Sequence, residues 1–110
     1  MLETILRYPE NLLEPPDFKS LFTSAQALLV QLADVQIENC KNTIIKRMPA
    51  KEPILNFDVW FPSKIRDLDI LRDLEKSLTA LTKQEFAKSI EQLGLKIYVS
   101  FNWPRIRWSR

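Results

Sequence analysis

Histidine is absent from this 110-residue sequence, and glycine and cysteine each occur once. Histidine is the commonest metal ligand and the only side chain whose ordinary pKa lies near neutrality. Its absence, with a single cysteine, excludes the usual zinc sites, Ser-His-Asp triads and Cys-His dyads. A single glycine, Gly94, cannot form the glycine-rich loops that bind nucleotide phosphates. The sequence therefore predicts no metal ion and no cofactor.

Long apolar runs are also absent. A bilayer crossing needs roughly 18 to 20 apolar residues, and the longest candidate, residues 25–33, is interrupted by Gln26 and Gln31. The first nine residues lack the basic segment and apolar core of a secretory signal. The lone Cys40 cannot form a disulfide within the chain, which agrees with a reducing compartment. We expect a cytoplasmic protein that does not bind a membrane.

The composition is that of an ordinary globular protein, with 45% hydrophobic and 27% charged residues. A chain of this length forms one domain. Pro9, Pro15 and Pro16 delimit an N-terminal arm at residues 1–16, which we expect to be extended or to form a single turn. Residues 17–110 are predicted to form a single α+β domain.

A long amphipathic helix is predicted to begin after Asp17, which can act as its N-cap. The sequence allows two positions for the C-terminal end of this helix. In the first, the helix ends near residues 39–42 and residues 43–48 form a strand. In the second, it continues to Met48, and its about 31 residues would span ~46 Å and overhang the domain. The β-branched residues 43–45 favour the strand. Apolar residues recur at helical spacing at Phe22, Ala25, Leu29, Ala33, Ile37, Cys40 and Ile44.

Residues 54–61 and 95–102 each alternate apolar and polar side chains and are predicted to be strands. A helix is expected between them, beginning within residues 63–67. Residues 82–85 match a capping box, which predicts a further helix from Lys83 that ends at Gly94. With a hairpin between the first two strands and a short strand at residues 105–108, the order becomes α-β-β-α-α-β-β. The predicted fold is a small helix-covered sheet with a helix-pair crossover.

The C-terminus interleaves tryptophan with arginine. Arginine binds phosphate and aromatic rings stack on unpaired bases, so this segment could contact single-stranded nucleic acid. The same residue types are enriched at protein interfaces. An edge strand with tryptophan facing the core is the third interpretation. With Trp60, the candidate partner-binding residues are Trp103, Arg105, Arg107, Trp108 and Arg110.

A second basic run contains no acidic residue between Lys41 and Lys51. It is interpreted either as a solvated surface or as a secondary basic patch that extends the first. Its members are Lys41, Lys46, Arg47 and Lys51.

One cluster of acidic residues could form the site of a metal-dependent hydrolase, because magnesium is held by oxygen ligands. Its members are Asp58, Asp67, Asp69 and Asp73. Acids at the start of a helix are also expected from the helix dipole alone. A hydrolase is therefore the third hypothesis for function.

The leading hypothesis from sequence is a non-enzymatic protein-interaction or assembly module, an adaptor that self-associates through its long first helix and exposed aromatic residues. Trp60 supports it, because it falls on the mixed face of its strand. The expected partner is a protein or a second copy of the chain, and no small-molecule substrate is inferred. An accessory nucleic-acid-binding protein is the alternative.

Overall fold

The computed structural model describes residues 2–13, 17–36, 38, 40–49 and 51–104. They form a single α+β domain, which confirms the predicted class. Among these residues no helix is long and apolar enough to cross a membrane. The elements are β1 (Glu3–Pro9), α1 (Phe18–Ala33), β2 (Lys41–Arg47), β3 (Ile54–Trp60), α2 (Leu68–Glu85), α3 (Ala87–Leu93) and β4 (Lys96–Asn102).

The first element is a strand, where the sequence predicted an arm. The sheet order is β2-β1-β3-β4, so β1 lies in the interior of the sheet, parallel to β2 and antiparallel to β3. The predicted hairpin between the first two strands after α1 is therefore wrong, because β1 separates β2 from β3. Thr4 explains why β1 was missed: it is a polar residue at a buried position, and its hydroxyl bonds to the Asn42 side chain across the β1–β2 pair.

Two strand–helix–strand units make up the sheet. In the first, α1 connects β1 to the parallel β2; in the second, α2 and α3 connect β3 to the parallel β4. The predicted helix-pair crossover between β3 and β4 is confirmed. The two units meet along the antiparallel β1–β3 pair.

Helix α1 begins where predicted and ends earlier. Asp17 caps it by accepting a hydrogen bond from the Ser20 N–H at 3.0 Å. Asp34 leaves the helix in the left-handed conformation, with φ 52°, a common way for a helix to end. The strand alternative is confirmed by β2, and the overhanging helix to Met48 is wrong.

The second helical region begins where predicted, with Asp67 accepting hydrogen bonds from two backbone N–H groups. The predicted capping box is wrong. Thr82 is buried inside α2 and its hydroxyl donates to the Leu78 carbonyl at 2.7 Å, so α2 continues to Glu85. Gly94, with φ 70°, ends α3 as predicted.

The core lies between one face of the sheet and the helices α1 and α2. In β3 the buried residues alternate with partly or fully exposed ones, so its other face is not covered by a helix. This second face is called the open face below. Its members, from the strand register, include Ile5, Arg7, Ile45, Ile54, Asn56, Asp58, Trp60, Tyr98 and Ser100.

Candidate functional site

A cleft of about 480 Å³ opens at the end of the sheet where β1 begins. Three parts of the chain form it: the residue before β1, the segment that follows α1, and the segment that follows β3. Its lining residues are Leu2, Ala33, Asp34, Val35, Gln36, Glu38, Pro62, Ser63 and Ile65.

Backbone hydrogen bonds hold these three segments in place. The Asp34 N–H donates to the Val30 carbonyl at 3.2 Å, which fixes the point where the chain leaves α1. The Lys41 N–H donates to the Leu2 carbonyl at 2.9 Å and joins the start of β2 to the start of β1. The Phe61 N–H donates to the Asn102 carbonyl at 2.8 Å, immediately before Pro62 turns away from the sheet. The cleft is therefore built on secondary-structure ends.

The lining combines apolar contact with proton-accepting groups. Leu2 is buried, and Ala33, Val35 and Ile65 are partly buried. The exposed side chains of Asp34, Gln36, Glu38 and Ser63 supply two carboxylates, an amide and a hydroxyl. Carboxylates can act as general bases, and the amide and hydroxyl can donate hydrogen bonds to a developing oxyanion. Such a cleft is equipped for proton transfer on a small molecule.

Cys40 lies outside the cleft lining, in a small polar cluster beside α1. Its sulfur is 3.6 Å from both the Gln26 Nε2 and the Asn42 Oδ1. Burial raises the pKa of the Cys40 thiol, which disfavours the thiolate that nucleophilic catalysis needs. This environment is that of a structural thiol.

The tryptophans singled out in the sequence lie in different environments. Trp60 is 39% exposed on the open face, whereas Trp103 packs against the core. The structure therefore does not place these two indoles on one exposed surface. Four of the predicted partner-binding residues fall outside the described residues: Arg105, Arg107, Trp108 and Arg110.

The secondary basic patch falls mainly on the edge strand β2. Lys41 and Arg47 are in register with open-face positions of β1, and Lys46 points to the opposite side because side chains alternate along a strand. Lys51 follows β2 and is exposed. The patch is divided between two faces of the sheet.

The four carboxylates proposed for a hydrolase do not form one site, because Asp58 lies in β3 and the other three lie at the beginning of α2. Asp58 forms an ion pair with Arg7 and accepts a hydrogen bond from the Ser100 hydroxyl at 2.6 Å on the open face. Asp67 caps α2, and Asp69 lies 4.0 Å from Arg72. In the part of the chain that the structure describes, no three His, Cys, Asp or Glu side chains form a group that could hold a metal ion. The hydrolase hypothesis has no assembled site there.

Asp34, Gln36 and Glu38 were missed as site residues because the predicted α1 extended through them, whereas Leu2 and Ser63 fell in the predicted arm and at the predicted start of the next helix. Asp34, Glu38 and Ser63 carry no motif, and they approach one another only when the chain folds. The available signal was local: Asp34 follows the last apolar helical position, and Pro62-Ser63 ends a strand. That signal predicts loops but does not predict that the loops meet.

Solved structures share this fold over almost the whole chain. A 5-carboxymethyl-2-hydroxymuconate isomerase from Deinococcus radiodurans R1 superposes with a TM-score of 0.79 at 15% identity, covering 99% of this chain and 88% of that one. Malonate semialdehyde decarboxylase, with decarboxylase and hydratase activities, superposes with a TM-score of 0.60 at 15% identity, covering 96% and 91%. A fused 4-OT described as a symmetric trimer gives a TM-score of 0.68 at 4% identity, covering 91% and 85%. No family model and no curated protein sequence matches this chain.

These structures overturn the leading sequence-based hypothesis. The chain shares its complete fold with an isomerase and a decarboxylase, so the expectation of a non-enzymatic adaptor is wrong. The part of that hypothesis that relied on a long first helix is also wrong, because α1 ends at Ala33. The nucleic-acid alternative and the expectation of no small-molecule substrate gain no support from these structures.

Proposed function

We propose that this chain is an enzyme that isomerises a small carbonyl compound by moving a proton within the cleft at the start of β1. The observation that carries the proposal is the cleft itself, in which carboxylates and hydrogen-bond donors border an apolar lining of small-molecule size. The shared fold with an isomerase and a decarboxylase supports it. Reactions of this kind need a base and an oxyanion donor, and they need no metal ion or cofactor.

The base is a carboxylate. The chain has no histidine, and no lysine or cysteine lines the cleft among the described residues. One of the decarboxylase structures carries a proline-to-alanine substitution. Pro62, which lines the cleft of this chain, cannot act as the base, because its nitrogen belongs to a peptide bond and is not basic. Asp34 is the better placed carboxylate, because its backbone is fixed at the end of α1 by a hydrogen bond to Val30.

The reaction proceeds as a proton transfer with no net redox change. Asp34 accepts the proton from the carbon beside the substrate carbonyl, and the electrons of the broken C–H bond form a carbon–carbon double bond. The carbonyl electron pair moves to oxygen, where the Ser63 hydroxyl or the Gln36 amide donates a hydrogen bond to the developing negative charge. Protonation of that oxygen, or of a conjugated carbon, completes the isomerisation and restores the carboxylate.

The first test is proton exchange on two enolisable probes, phenylpyruvate and its methyl ester, followed by proton NMR in heavy water. We expect the protein to accelerate deuterium incorporation at the carbon beside the ketone, with a rate proportional to protein concentration. An equal concentration of acetate gives the rate for an unpositioned carboxylate. If the folded protein does not exceed acetate with either probe, the proposed function is wrong.

The enzyme is further proposed to be a homo-oligomer that assembles through the open face. Ile45, Trp60 and Tyr98 are 39%, 39% and 52% exposed there. The Arg7–Asp58 ion pair and the Ser100 hydroxyl bonded to Asp58 lie among them, so these three polar side chains are already paired with one another. A face of apolar side chains around satisfied polar groups is typical of contacts between subunits. The symmetric trimer formed by a protein of the same fold supports the homo-oligomer, and the choice of the open face rests on its exposed apolar residues.

Sedimentation velocity tests the assembly. The double substitution Trp60→Lys and Tyr98→Lys places two charges on the open face, and we expect it to convert the oligomer to monomer because burying unpaired ammonium groups is costly. Leu68→Lys is the control, since Leu68 is 64% exposed on α2, away from that face. A wild-type monomer at every concentration, or equal dissociation of the control, would contradict the open-face interface.

A further inference from the structure

We infer that the cleft selects uncharged or cationic carbonyl compounds and discriminates against carboxylates, with Asp34 and Glu38 as the specificity-determining residues. The inference rests on the proposed function for the location of the site. It concerns the charge of the ligand, which the isomerisation chemistry alone leaves open.

The charge of the lining supports this selection. Asp34 and Glu38 each contribute a negative charge, and among the described residues no lysine or arginine lines the cleft. Lys64 and Arg66 flank lining residues in sequence, but both are exposed and neither lines the cleft. Lys41 joins Leu2 only through its backbone N–H, and its position in β2 is in register with Glu3 on the open-face side. A bound carboxylate would therefore face two like charges, with no basic side chain among the described lining residues to oppose them.

The size of the effect follows from Coulomb's law. Both carboxylates are exposed, so the dielectric constant near them approaches that of water. A unit negative charge about 7 Å from one carboxylate then loses about threefold in affinity, and two carboxylates together cost about tenfold. Because exposed charges are screened within ~3 Å at 1 M salt, this preference is expected to vanish there.

The remaining lining residues define the rest of the ligand. The apolar side chains of Leu2, Val35 and Ile65 can contact a hydrocarbon group, and the Ser63 hydroxyl can bond to a carbonyl oxygen. The expected ligand class is a ketone or aldehyde with an apolar substituent, including esters and amides of oxo acids. Amino ketones also fit, since their ammonium group would face the two carboxylates.

The test measures binding, so that it is independent of turnover. Nitrogen-15-labelled protein is titrated with phenylpyruvate and with its methyl ester, two probes of similar shape that differ by one charge. Backbone amide shifts of Ala33, Val35 and Ser63 report occupancy of the cleft. We expect the ester to bind about tenfold more tightly at low salt, with the difference lost in 1 M sodium chloride.

Matched variants assign the preference to the cleft. The double variant Asp34→Asn and Glu38→Gln should bind both probes equally. Asp73→Asn with Glu75→Gln makes the same chemical changes on two exposed residues of α2, and should keep the wild-type preference. Equal wild-type binding of both probes, or an equal loss of preference in the α2 variant, overturns the inference. Proton exchange that occurs without a charge preference leaves the proposed function standing, whereas a charge preference without proton exchange contradicts only the proposed function.

Discussion

Replacing Asp34 with asparagine is expected to lower the proton-exchange rate of this protein by about 10²- to 10⁴-fold, the usual contribution of a positioned general base. The substitution keeps the size of the side chain and removes its ability to accept the proton. Asp34 also holds a left-handed backbone conformation, which asparagine tolerates about as well as aspartate. The fold should therefore remain unchanged, as circular dichroism would show. Exchange rates from NMR in heavy water provide the measurement.

Asp34→Gly separates the catalytic role from the structural one. Glycine adopts a positive φ without steric cost, so this variant should be as stable as the wild type or more stable by up to ~1 kcal/mol. Its proton-exchange activity should still fall as far as that of Asp34→Asn. If Asp34→Gly is stable and fully active, the carboxylate is not the base. Glu38→Gln then becomes the variant to assay.

Leu74→Ala is expected to reduce the free energy of unfolding by about 2 to 5 kcal/mol. Leu74 is 0% exposed on the inner face of α2, within the core that α1 and α2 share with the sheet. Its truncation removes apolar burial and leaves a cavity. Since small domains are stable by only about 5 to 15 kcal/mol, the loss is a large fraction of the total. Urea unfolding followed by tryptophan fluorescence measures it.

Leu68→Ala is the matched control on the same helix. Leu68 is 64% exposed at the first position of α2, so the same substitution should change the free energy of unfolding by about 0.5 kcal/mol or less. Similar losses for Leu68→Ala and Leu74→Ala would show that the inner face of α2 is not packed as described. A change in the denaturant dependence, rather than in the midpoint, would indicate an altered unfolded state.

Local sequence patterns correctly predicted the strands and helix ends that depend only on residues close together in the sequence. The period-two alternation of residues 54–61 and 95–102 identified β3 and β4, because side chains of a strand alternate between the faces of a sheet. Asp17 and Gly94 marked helix ends, because capping depends on residues within one turn. The Asp17 side chain accepts a hydrogen bond from a backbone N–H of α1, and Gly94 adopts the left-handed conformation that ends α3.

The interior strand β1 and the true end of α1 could not be predicted in this way. Thr4 is buried because Asn42, which lies 38 positions away in the sequence, accepts its hydrogen bond. Without that partner the segment has the pattern of an irregular arm. The apolar spacing of α1 continues beyond Ala33 through Ile37 and Cys40, yet β2 must begin at Lys41 to pair with Glu3. Pairing with β1 therefore outweighed local helical periodicity.

The sequence by itself determined which chemistries are closed to this protein, since a chain without histidine and with one glycine and one cysteine cannot form sites that require them. Those requirements depend on residue type and not on position. Only the tertiary structure decided where chemistry can occur. Leu2, Asp34, Glu38 and Ser63 line one cleft because the starts of β1 and β2, the end of β3 and the end of α1 meet at one end of the sheet. Such long-range pairing leaves no periodic pattern in the sequence around any one of these residues.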